Sequence, residues 1–216
     1  MTSTPLKGRE GRQMVADGVR SALRVGDLVP GQRLIEQDLS EQFGVTRSAV
    51  REALIDLQSD QLVELVPNRG ARIRVVSVEE AIQITECRAA LERLCARKAA
   101  EHGSEADRAV LNTIANQMQT AVANGDVETY SALNRQLHAL VIDMSGQEVA
   151  AQQLARLNGQ TVRFQFRLAR RPGRPQVSLP QHLAIIDGVL NRDPDAAEAA
   201  VKAHLDSVIE QLAQTA

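Results

Sequence analysis

The sequence predicts a mainly α chain in two parts, an N-terminal winged helix-turn-helix with a small β-hairpin wing and a C-terminal antiparallel α-helical bundle. Three observations carry this. Between Glu36 and Leu57, two short segments with apolar residues at helical spacing flank Gly44. A strand-like, basic stretch with turn residues at its middle follows directly, from Leu62 to Val75. Beyond Val76 every apolar pattern is helical, and only 2% of the chain is aromatic, which suits packed helices better than a β-sandwich.

The chain has 216 residues, 44% of them apolar, enough for one large core or two small ones. Its formal net charge is −2, which argues against indiscriminate coating of nucleic acid. Residues 1–75 hold 11 Lys+Arg against 10 Asp+Glu, a net of +1, so DNA binding by this half requires its positive charge to be focused on one face. Cys87 and Cys95 lie eight residues apart on one predicted helix, about 12 Å along its axis, too far for a mutual disulfide. Free thiols suit a reducing compartment. No apolar run approaches the ~20 residues of a membrane span, and MTSTPLKGREGR lacks the apolar core of a secretion signal. A cytoplasmic protein without membrane attachment is expected.

In chain order, the first dozen residues are polar and read as a mobile tail. A helix from about Gln13 to Leu23 buries Met14, Val15, Val19 and Leu23, and Gly26 to Gly31 form a loop. Leu39 and Phe43 mark the next helix, Gly44 its stop, and Thr46 the N-cap of the one after. There Val50, Ala53, Leu54 and Leu57 fall on one side, while Arg47, Ser48, Arg51 and Ile55 fall on the other. Two arginines one turn apart at the start of an anchored helix suit a DNA major groove. An ordinary helix hairpin with a solvated basic face shows the same spacing. The following hairpin favours the first reading: Pro67 to Gly70 supply the turn, and Ala71, Ile73 and Val75 alternate with Arg72 and Arg74. A cationic hairpin in that place is a wing able to reach phosphates or the minor groove.

From Pro30 to Gly70 the runs PGQRL, LSEQFGVTRSAVREAL and NRG resemble the winged helix-turn-helix of the GntR family of bacterial transcription regulators. The resemblance implies that Arg47 and Arg51 reach base edges or nearby phosphates, that Thr46 and Ser48 bond phosphates, and that Arg69 with Gly70 forms the wing tip. Gln37 stands where several members of that family carry an arginine.

Ser77 and Glu80 form a capping box opening a helix that runs to about Glu101, so the domains are read as 1–76 and 77–216. Ser104 with Asp107 caps the next helix, which ends at Asn124 and Gly125. Further helices run from about Val127 to Met144 and from about Glu148 to Ala169. Pro180 is read as opening the helix to Leu190, and Asp193 with Pro194 as opening the last. Six helices with short connections favour an antiparallel bundle.

Three of the four histidines, His138, His182 and His204, fall on three of these helices, and Asn134 precedes His138 by one turn. Three imidazoles and one oxygen donor are a candidate site for a divalent transition metal, with zinc, nickel, manganese and iron not distinguished. By spacing alone the signal is weak, and lone histidines on bundle helices are more often hydrogen-bonded core or surface residues. The runs VEEAIQITECRAALE, NRQLH and PQHLAIIDGVLNRDPDAAEAAVKAHL are similar to the all-helical FCD-type effector domain of the FadR subfamily of GntR regulators. That resemblance implies a metal on Asn134, His138, His182 and His204, with Asn134 replacing an aspartate, and an effector-facing Arg88. A neutral amide in place of a carboxylate weakens the hold on the ion, or abolishes it, and favours an anionic effector. Arg88 can equally pair with Glu92 one turn on.

The implied function is a ligand-responsive regulator that binds a palindromic double-stranded operator as a homodimer, with a small carboxylate effector at the metal site. Its alternatives are a metal-dependent enzyme or a metal sensor fused to a DNA-binding domain. Against the enzyme, the sequence places no carboxylate base beside the three histidines; Asp143 and Asp187 are the nearest along the chain.

Overall fold

The protein is described by a computed structural model covering residues 6–66, 70–169 and 171–214, with the side chains of residues 163, 165, 166 and 169 outside the description. The chain divides into two compact units: Met1–Ser77 with Gly159–Phe166, and Val78–Asn158 with Arg167–Ala216.

In the first unit, α1 (Gly8–Val25) precedes β1 (Arg33–Leu34), α2 (Glu36–Phe43), α3 (Arg47–Ser59), β2 (Val63–Val66) and β3 (Gly70–Ile73). Gly44 ends α2 in the left-handed region at φ +63°, and its N–H returns to the carbonyl of Ser40. Two residues later Thr46 starts α3, its hydroxyl accepting from the N–H of Ala49 at 3.4 Å. Val50, Ala53, Leu54 and Leu57 are buried, as their spacing predicts, and they pack with Val15, Val19 and Leu23 of α1. Each fully buried leucine contributes roughly 1.5–3 kcal/mol, so α3 is held by its inner face while the outer face stays open.

Four details depart from the sequence reading. Residues 6 and 8–12 are ordered: Leu6 bridges to Val45, and α1 already begins at Gly8. Met14 is 40% exposed because the buried stripe follows Val15, Val19 and Leu23, one position further round the helix. The wing belongs to a three-stranded antiparallel sheet in the order β1-β3-β2, whose two-residue first strand is too short to show a period. Val75 lies beyond the end of β3 and is 62% exposed.

The second unit is built from α4 (Val78–His102), α5 (Glu105–Ala123), α6 (Val127–Met144), α8 (Arg174–Leu190) and α9 (Pro194–Ala213), with parts of α7 (Glu148–Ala169). Its core joins Ala96 of α4, Leu111 and Met118 of α5, Leu137 of α6, Ile185 and Ile186 of α8, and Leu205 of α9. The Ser104–Asp107 capping box forms, and Asp193 caps α9 by accepting from the N–H of Ala196.

One boundary here is corrected. Pro180 lies inside α8, which starts six residues earlier at Arg174 with Pro175 in its first turn. Pro180 and Gln176 are both exposed, so the carbonyl that proline leaves without an intrahelical donor faces water. That removes the reason for the helix to break. The extra turns place Arg174, Ser178 and His182 in one row, at i, i+4 and i+8.

Candidate metal centre and nucleic-acid interface

The outer face of α3 presents Arg47, Ser48, Arg51 and Ile55 to solvent. Arg51 donates from Nε to Glu36 Oε2 of α2 at 2.7 Å, while its side chain stays 64% exposed. Such an exposed pair is worth roughly 0–1 kcal/mol and yields readily to a competing phosphate. Arg47 has no acidic partner among the described residues. The hydroxyls of Thr46 and Ser48 lie 3.1 Å apart at the start of the helix. A groove of about 540 Å³ brings Arg47, Arg51 and Ile55 together with Gln37 of α2 and Gly70 of the wing. Gln37 instead bonds Glu41 at 3.0 Å. Gly70 has φ +81°, and a Cβ there would meet the carbonyl oxygen of Leu34 at 2.9 Å, so the wing needs glycine for both reasons. Arg69 lies outside the described residues.

In the helical unit, His138, His182 and His204 converge from α6, α8 and α9. One ring nitrogen from each lies within 4.8 Å of the others, and the ring centroids of His182 and His204 are 4.5 Å apart. Second contacts then leave one ring nitrogen of each free. His182 Nδ1 lies 2.8 Å from the hydroxyl of Tyr130, His204 Nδ1 lies 3.1 Å from Gln181 Oε1, and His138 Nδ1 lies 3.3 Å from Glu92 Oε2. If each Nδ1 carries the proton, each Nε2 offers a lone pair to a ligand, the arrangement common at metal-binding histidines. The Tyr130 hydroxyl, accepting from His182, donates to Ser178 Oγ at 2.8 Å, and Ser178 donates to the carbonyl of Arg174.

The electrostatics favour neutral imidazoles at His182 and His204. Burial, reinforced by the neighbouring histidines and arginines, holds His182 and His204 well below the usual histidine value. Burial alone would raise the Glu92 carboxyl. The Arg88 charge, with His138, outweighs it and lowers the carboxyl to about 2.

Two buried oxygen and nitrogen atoms test whether a metal suits this place. His182 Nε2 and Asn134 Oδ1 are both buried with no hydrogen-bond partner. Unpartnered buried acceptors are costly, and a bound cation would relieve that cost at either of them. Three imidazoles and an amide oxygen fit a divalent transition ion and leave positions open for a further ligand.

Arg88 is buried beside the cluster, with Nε and Nη2 on Glu92 Oε1 at 3.1 and 2.7 Å. Of the two sequence alternatives for Arg88, the pair with Glu92 forms, but inside the unit and not on the surface. Glu92 is the residue the sequence reading missed. It supplies the carboxylate beside the histidines that neither Asp143 nor Asp187 provides, and its only sequence signal is its position four residues after Arg88. His102 is exposed, 3.5 Å from Glu101, and apart from the cluster.

Comparison with known proteins agrees with both halves. Residues 12–73 match the bacterial regulatory proteins of the gntR family, and residues 83–207 match the FCD domain. The HTH-type transcriptional repressor RspR of Escherichia coli is 28% identical over 187 residues, covering 87% of this chain and 82% of that protein. The HTH-type transcriptional repressor NanR of Citrobacter rodentium is 25% identical, covering 96% and 87%. Among solved structures, Escherichia coli McbR/YncC superposes with a TM-score of 0.81 at 22% identity, covering 95% of this chain and 98% of that one. These relatives are transcription regulators, not enzymes. No helix among the described residues is long and apolar enough to cross a membrane.

Proposed function

Because the chain belongs to the GntR family of bacterial transcription regulators and carries an FCD domain, we propose that it is a cytoplasmic, effector-controlled regulator acting as a homodimer on a palindromic operator. In this reading Asn134, His138, His182 and His204 hold a divalent transition metal, and a small organic acid is the signal. The observation that carries it is the convergence of His138, His182 and His204, with one ring nitrogen of each within 4.8 Å of the others; Asn134, one turn before His138 on α6, adds a buried amide oxygen without a hydrogen-bond partner. The ion, when bound, supplies a positive pole with open positions for a carboxylate.

The chain's own residues do the rest. Tyr130 and Gln181 hold the rings of His182 and His204, and Glu92 lies 3.3 Å from that of His138. Arg88 keeps Nη1 disengaged from Glu92 and offers it to the acid, a charge-assisted contact. Binding shifts the helical unit between two arrangements, and residues 74–77, which join β3 to α4, pass that shift to the DNA-binding unit of residues 1–76. There Arg47 and Arg51 read base edges or phosphates, Thr46 and Ser48 hold phosphates, and Arg69 with Gly70 forms the wing tip.

The test is metal content of untagged protein purified without chelator, alongside a His138→Ala, His182→Ala variant. Anisotropy with a duplex selected from random sequence, with and without added carboxylic acids, follows. About one metal per chain, lost in the variant together with the acid's effect on DNA affinity, is the expected result. An acid response that persists in the variant overturns the metal-centred reading, and a response to metal alone makes the ion the signal.

A further inference from the structure

Three arginines of the helical unit are buried among the described residues, and they differ in what neutralises them. Arg108 is surrounded by carbonyls: it donates to those of Gly103 and Ala100 at 3.3 and 3.0 Å, and to that of Val189. Arg88 has the buried carboxylate of Glu92. Arg174, 7% exposed, has only the hydroxyl of Ser207, which accepts from Nη1 at 3.1 Å. No carboxylate among the described residues faces it. A second cation, Arg171, adds to the positive field around it. A guanidinium does not escape burial by losing its proton at neutral pH, so an anion that reaches Arg174 would supply the counter-charge that no described carboxylate gives it.

The position of Arg174 says what that counter-ion is attached to. It shares one row of α8 with Ser178 and His182, and its partner Ser207 lies three residues after His204 on α9. Three residues advance a helix by about 5 Å, so the guanidinium lies roughly one turn from the level of the imidazoles. Its field already acts on both His182 and His204.

We propose that Arg174 is a second anion-binding post of the effector site, and that the effector is a short-chain dicarboxylate with one carboxylate at the histidine cluster and Arg88 and the other on Arg174. The inference rests on the organic-acid reading above and narrows its ligand class. Charge balance supports it. Glu92 offsets Arg88, which leaves Arg174 as one excess positive charge. A divalent ion held by neutral donors raises the excess to three. A monocarboxylate leaves two of these buried and uncompensated, and a dicarboxylate leaves one.

The experiment is calorimetric titration of the full-length, metal-loaded protein with succinate and with butyrate, which have the same carbon chain and differ by one carboxylate. Wild type is expected to bind succinate at least about tenfold more tightly. Arg174→Gln is expected to bring succinate down to the butyrate level while leaving butyrate unchanged, and Arg174→Lys, which keeps the charge if the glutamine variant does not fold, to retain part of the preference. Equal binding of the two acids by wild type overturns this inference and leaves the organic-acid reading in place. So does a succinate preference that survives Arg174→Gln. Binding of neither acid to wild type, with metal present, overturns both.

Discussion

The hydroxyl of Tyr130 on α6 lies 2.8 Å from Nδ1 of His182 on α8, and this contact selects the ring nitrogen that is left for a ligand. Burial raises the Tyr130 pKa, so the phenol keeps its proton and can donate a hydrogen bond to Ser178 while accepting one from the imidazole. Tyr130→Phe removes the acceptor and leaves the ring free to turn. Metal affinity is expected to fall roughly 10–100-fold. Competition with a chromogenic chelator measures this, and unchanged affinity would show that the phenol plays no part in orienting the ring.

Glu92 is the central charge of the helical unit, contacting Arg88 and His138 at once. Glu92→Gln leaves the buried guanidinium without its counter-charge. Removal of one partner of a buried pair costs about 3–5 kcal/mol, and this amide substitution keeps some hydrogen bonding, so a loss toward the lower end is expected. Urea unfolding followed by circular dichroism reads it directly. A midpoint equal to wild type would mean that water already neutralises Arg88.

On the outer face of α3, Glu36 holds Arg51 at 2.7 Å and, in the proposed DNA complex, would compete with a phosphate for it. Arg51→Ala is expected to weaken DNA binding and to lower the slope of log affinity against log salt by about one unit. Glu36→Gln releases the arginine and is expected to move affinity the other way. If both variants weaken binding equally, Glu36 is orienting Arg51 and not restraining it.

The wing offers a backbone test. Gly70→Ala meets strain from φ +81° and the carbonyl of Leu34 at 2.9 Å. A destabilisation of about 1–3 kcal/mol is expected, with DNA binding lost in proportion to wing disorder. Thermal melts of the full chain monitor the first and anisotropy the second.

Much of this was legible beforehand because local signals agreed with global packing. Gly44, Thr46 and the Val50 to Leu57 stripe act over single turns, and each takes the conformation that its residue type prefers. The failures are also physical. β1 has two residues and owes its existence to pairing with β3, which no local period announces. Pro180 looked like a helix start because proline ordinarily ends what precedes it. Exposure of that side of α8 lets the helix run through, and this decides whether Arg174 and Ser178 belong to a loop or to the histidine row.

By itself, then, the sequence determined most of the elements and the outward arginines of α3, since helix spacing, caps and turns are written in neighbouring residues, while the three histidines as a group were implied only by the family resemblance. Tertiary structure alone decided what surrounds those histidines. Glu92, Tyr130, Gln181 and Arg174 come from α4, α6 and α8, and only packing against α9 and one another makes their burial and charges mutual. A charge's meaning depends on the dielectric and partners around it, and these are properties of the folded interior that no stretch of chain carries alone.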